Sequence, residues 1–160
     1  MAGNKPFTAD REIRLGKIKL AYCFTALAAF AGGVVIYALF RNIDTMVLFR
    51  FFPQPSFLAG QRIQLNTDTV WGYLFVFNLL HGLWCLSGLL VIRAVWLTNT
   101  KWRAVYGGTF IATASFLEIM QLIGIVPGRF DALDLAAYGV FASIESMTYN
   151  KFVKRRIYDR

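Results

Sequence analysis

Residues 20–40 read LAYCFTALAAFAGGVVIYALF, and no acidic or basic side chain interrupts them before Arg41. A helix needs about 20 largely apolar residues to cross a bilayer core, and this run has that length. Tyr22, Tyr37 and Phe40 fall near its ends, where aromatic rings favour the head-group level. Ala28 with Gly32, and Ala29 with Gly33, set small residues one turn apart, a spacing that admits a second helix at close range.

The flanks agree with a membrane reading. The polar segment 1–19 is followed by no small-residue cleavage pattern, so the first span is expected to remain in the mature protein. Three further apolar segments follow, at 70–97, 104–126 and 133–149. Trp71 and Trp96 bracket the second. Pro127-Gly128 is expected to end the third, and Asp131 and Asp134 open the fourth, where acids suit the positive end of a helix dipole. The fourth is the least apolar, which predicts that the other three helices or a partner shield it. Between the first two spans, residues 46–52 are apolar and aromatic but too short to cross. They read as an interfacial or re-entrant stretch beside Pro53 and Pro55. The expected fold is therefore all-α: a polytopic membrane protein, one four-transmembrane-helix bundle over 20–150 with a partly interfacial first outer loop and a basic tail at 151–160.

Composition supports this. The chain is 57% hydrophobic and only 16% charged, against about 25% charged in a soluble domain. Its net charge of +8 would point to nucleic acid on a soluble chain, but here the cations sit at the ends of apolar runs. They serve topology and attraction to anionic lipid, and nucleic acid is excluded as a partner. Lys5, Arg11, Arg14, Lys17 and Lys19 precede the first span, Arg93, Lys101 and Arg103 join the second to the third, and Lys151, Lys154, Arg155, Arg156 and Arg160 form the tail. Only Arg41, Arg50, Arg62 and Arg129 fall on the other side. The positive-inside rule then predicts a bacterial cytoplasmic (inner) membrane protein with both termini cytoplasmic. Cys23 and Cys85 lie in separate apolar runs and read as packing residues.

Polar side chains inside spans carry the functional information, since a central charge costs about 2.5–3.5 kcal/mol on insertion scales. Ser115, Glu118 and Gln121 lie along one side of the third helix, and Glu118 sits roughly 12 Å from its outer end at 1.5 Å per residue. With Arg129, Asp131 and Asp134 they form an outer-side cluster. One reading is a polar lock holding two helices in register. The other is a binding or catalytic site open to the outer leaflet. His81, the only histidine, shares a stripe with Asn78, Cys85 and Gly88. It reads either as a packing residue or as a neighbour of Glu118 or Arg129. No HExxH or paired-His spacing is present, so no metal is expected, and no cofactor is indicated. Glu145 lies level with Arg93 and predicts a salt bridge or a snorkelling acid near the cytoplasmic end.

The segment SFLEIMQLIGIVPGRFDALD, residues 115–134, resembles the VanZ-like family of small bacterial membrane proteins. The matching positions are Ser115, Glu118, Gln121, Arg129 and Asp134, and LLHGLWCLSGLL adds a weaker match at His81 and Gly88. The chain departs from the pattern at Tyr138, where the family has Asn, and at Phe141, where it has Gly. The resemblance implies an inner-membrane protein linked to the cell envelope, the namesake being associated with reduced sensitivity to a glycopeptide antibiotic.

Two functions compete. In the first, the outer cluster binds a lipid or glycolipid head group, Arg129 holding an anion and the acids accepting hydrogen bonds. In the second, the chain is a non-catalytic accessory subunit that meets other membrane subunits through its aromatic surface. An enzyme ranks below both, because no Ser-His-Asp or Cys-His spacing is present. Single-copy transport is disfavoured by four spans without an inverted repeat.

Overall fold

The computed structural model describes residues 9–40, 63, 66–126 and 130–153. The stretch 46–52, the Pro127-Gly128 pair, Arg129 and the tail beyond 153 lie outside the described residues. All regular structure among the described residues is helical. We number four helices: α1 (Ala9–Phe40), α2 (Val70–Val95), α3 (Thr100–Leu122) and α4 (Ala132–Thr148), the last continued by a π turn at Tyr149–Val153.

α1 starts well before residue 20, because the charged segment from Arg11 to Lys19 is itself a good helix former. Tyr22, Ala26, Ala29, Gly33 and Tyr37 form its buried stripe at steps of three and four residues. Of the two small-residue pairs, Ala29 with Gly33 is the one in the contact, while Ala28 is exposed. Gly33 matters because the Trp84 indole of α2 occupies the place its Cβ would take. That indole stacks on Tyr37, with centroids 6.1 Å apart and planes at 17°.

α2 is the axle of the fold. It is capped by Thr69, whose hydroxyl accepts from the Gly72 N–H at 3.1 Å and donates to the Asn66 carbonyl. It takes α1 on one side and α3 and α4 on the others, each time by setting an aromatic ring against a glycine. Phe141 of α4 lies on Gly82, and Phe110 of α3 lies on Gly88. Phe141 thus fills the space that Gly82 leaves on the facing helix.

α3 spans 100–122 rather than 104–126. Asn99 caps its start by accepting from the Trp102 N–H, which recruits Thr100–Arg103 into the first turn. Its end is set by Gly124 at φ 74°, not by Pro127-Gly128. The Gly124 N–H reaches the Gln121 carbonyl at 3.1 Å and the Ile125 N–H reaches Met120 at 2.9 Å, the paired bonds of a Schellman stop.

α1 from Arg11 and α2 are long and apolar enough to cross a membrane. α3 begins with polar residues, and the 17 residues of α4 extend roughly 25 Å at 1.5 Å each, short of a bilayer core of about 30 Å. The other helices cover one face of α4. α4 turns Asp134, Tyr138 and Glu145 inward and leaves Leu133, Val140, Ile144 and Met147 exposed. The covered face carries its acids, Asp134 against Asn78 and His81 of α2 and Glu145 against Arg93.

Candidate functional site

At the end of the bundle where α2 and α4 begin, seven polar side chains converge. Asp131 caps α4, accepting from the Leu133 N–H at 2.9 Å through Oδ1. Its other oxygen accepts from the Tyr73 hydroxyl at 2.5 Å and from Asn78 Nδ2 at 3.4 Å. Burial alone would raise the Asp131 pKa. The bonds from Tyr73, Leu133 and Asn78, with the nearby His81, outweigh it and hold the carboxyl below its ordinary value.

Asp134, one turn into α4, is buried. A single oxygen, Oδ1, accepts from Asn78 Nδ2 at 2.8 Å and meets His81 Nδ1 at 2.8 Å. The His81 side chain keeps 26% of its surface exposed. With Asp134 ionised, Nδ1 carries the proton and Nε2 is left as the edge available to a further partner. Glu118 is buried on α3, accepting from the Tyr138 hydroxyl at 3.3 Å and lying within electrostatic range of both Asp134 and His81.

A π turn at Leu74–Asn78 makes this convergence possible. In an α-helix, residues five apart point about 140° away from each other. The i→i+5 register stacks Tyr73 over Asn78, so that both face α4 with His81 one turn on.

Two acceptors in the cluster are under-satisfied. Asn78 Oδ1 is buried with no hydrogen-bond partner among the described residues, and Glu118 Oε2 has none of full geometry there, although the Asp131 backbone N–H lies near enough to act on the Glu118 carboxyl. Three carboxyl groups face one histidine, so the cluster is rich in acceptors and poor in donors. What it does chemically is receive: a hydroxyl, an amine or a proton would satisfy it. No group of three or more metal-ligating side chains with suitable geometry occurs among the described residues.

Of the residues singled out in the sequence, the structure brings Glu118, Asp131, Asp134 and His81 into one cluster. His81 pairs with Asp134 rather than bonding Glu118 directly. Ser115 and Gln121 are half-buried on α3, and no side-chain hydrogen bond ties either to the cluster among the described residues. Arg129 lies outside the described residues. Sequence reasoning missed Tyr73 and Tyr138 and left Asn78 out of the site. A signal existed for two of them: Asn78 is one turn before His81, and Tyr138 is one turn after Asp134.

No family model, curated protein or solved structure matches this chain.

Proposed function

We propose that this chain is a four-span integral membrane protein of the bacterial cell envelope, VanZ-like in its outer motif, with both termini cytoplasmic. In this reading the Asp131 end of the bundle faces outward and its cluster binds the head group of a lipid or glycolipid.

The distribution of polarity supports the four spans. Arg93, Glu118, Asp134 and Glu145 are buried, while Phe24, Leu27, Val95, Leu122, Val140 and Met147 are more than half exposed. Water would penalise that arrangement, and lipid rewards it. Trp71, at 81% exposure, and the stacked Trp96 and Tyr106 lie towards opposite ends of α2, where rings anchor at head-group depth.

The observation that carries the binding reading is the pair of under-satisfied acceptors, Asn78 Oδ1 and Glu118 Oε2, beside the half-open His81 ring. A head group bearing hydroxyls or an amine supplies the missing donors. In this scheme Arg129 takes the head-group phosphate. Native mass spectrometry of the full chain, released from detergent after purification, tests the idea. Wild-type protein should retain a lipid adduct that Glu118→Gln and Asn78→Leu lose at unchanged protein yield. Identical adducts in all three proteins would overturn it, and a parallel loss of yield would assign the cluster a structural role.

The accessory-subunit reading draws on α3. Of its residues only Glu118 is buried, and Trp102, Tyr106, Phe116 and Ile119 are all exposed. Purification in mild detergent separates the readings, because a stoichiometric set of co-purifying subunits is expected only of the second.

A further inference from the structure

The opposite end of the bundle has the reverse imbalance. There α2, α3 and α4 surround a cavity of about 270 Å³, lined by Arg93, Arg103, Gly107, Gly108, Glu145 and Tyr149 among others. We propose that this cavity binds a phosphate-type oxyanion, supplied either by an anionic lipid head group or by a soluble phosphate.

Charge is the first argument. Arg93 is neutralised by Glu145, whereas Arg103 has no acidic partner among the described residues. Arg103 makes one long bond, 3.5 Å, to the Leu97 carbonyl. Both guanidinium carbons sit against the same ring, 4.0 Å and 4.3 Å from the Tyr149 centroid. Two cations and one acid therefore share the cavity wall, leaving one positive charge for a ligand to neutralise.

Unsatisfied donors are the second. Arg93 is 5% exposed and Tyr149 2%, yet Arg93 Nη1 and the Tyr149 hydroxyl have no hydrogen-bond partner among the described residues. Guanidinium N–H groups and a hydroxyl are the donor set that a phosphate oxygen takes. The acid cluster at the far end lacks donors, and this one lacks an acceptor.

Space is the third. A Cβ at Gly108 meets nothing within 4 Å, and one at Gly107 meets only Leu89, at 3.8 Å. These two glycines leave one wall of the cavity bare, so a phosphate can approach between α3 and the arginines.

The lipid source rests on the membrane reading above, while the oxyanion site does not. The full chain in neutral detergent is titrated with dioleoyl phosphatidylglycerol and, separately, with inorganic phosphate, and the rise in unfolding midpoint is followed. Wild type and Lys101→Gln, which removes an exposed cation outside the cavity, should bind alike. Arg103→Gln should weaken binding at least tenfold, and Gly107→Leu should do the same by filling the cavity with both arginines intact. A response to the lipid alone identifies a head group, and an equal response to inorganic phosphate identifies a soluble anion. The proposal fails if neither probe binds wild type, if Arg103→Gln binds like wild type, or if Lys101→Gln loses as much as Arg103→Gln. Should Gly107→Leu not fold, the comparison of Arg103→Gln with Lys101→Gln still decides.

Discussion

Arg93 donates from Nε and Nη2 to the two carboxylate oxygens of Glu145, the second bond at 2.5 Å, and both side chains are buried. The pair joins the last turn of α2 to the last turn of α4, at the end of the bundle opposite the acid cluster. Twelve residues of α2, or about 18 Å, separate His81 from Arg93.

Breaking one half of such a pair leaves an uncompensated buried charge, at a cost of about 3–5 kcal/mol. We expect Glu145→Ala to lose stability on that scale in a detergent unfolding titration. The double replacement Arg93→Met with Glu145→Met should lose much less, because it removes both charges. Equal losses would mean that the pair is solvated and contributes packing only.

Helix α1 is held to α2 by the seat of Trp84 on Gly33. Gly33→Ala gains about 1 kcal/mol of helix propensity, but the methyl meets a stiff ring in a packed interface, where overpacking costs typically 1–3 kcal/mol. The net expectation is a lower unfolding midpoint, partly restored by Trp84→Leu in the same chain. A higher midpoint for Gly33→Ala alone would show that the ring moves aside freely.

Asp131 links stability to pH. Its carboxyl is held below the ordinary value, near 3.9, so the unfolded state takes up its proton first as pH falls. Its stabilising contribution is complete above that ordinary value and is lost as pH drops through the lowered folded pKa. Tyr73→Phe removes the 2.5 Å bond and part of this depression. The difference in unfolding free energy between wild type and Tyr73→Phe should be largest near neutrality and should shrink on acidification towards pH 3. A difference independent of pH would assign Tyr73 to packing alone.

Much of this was legible in sequence, for reasons that differ by region. The run at 20–40 and the match of Glu145 to Arg93 follow from apolar length and helical height, which one dimension records well. The end of α3 was misplaced because Pro127-Gly128 is a strong breaker, yet the shorter stop at Gly124 acts first. Which face α4 turns inward was not legible, because counting its acids says nothing of which way they face. Tyr73 could not be assigned to the cluster, since only the π turn at Leu74–Asn78 turns it towards Asp131.

The head-group reading of the acid cluster, and the lipid source proposed for the cavity at the other end, turn on which side of a membrane each occupies. Thr67, just before α2, and Thr98, just after it, are both exposed and mark the two ends. Single cysteines at these positions can be challenged in intact cells with a membrane-impermeant maleimide, the wild-type chain giving the background from Cys23 and Cys85. We expect Thr67→Cys to label in intact cells and Thr98→Cys to label only after lysis. Labelling of Thr98→Cys in intact cells, with Thr67→Cys protected, would contradict the account.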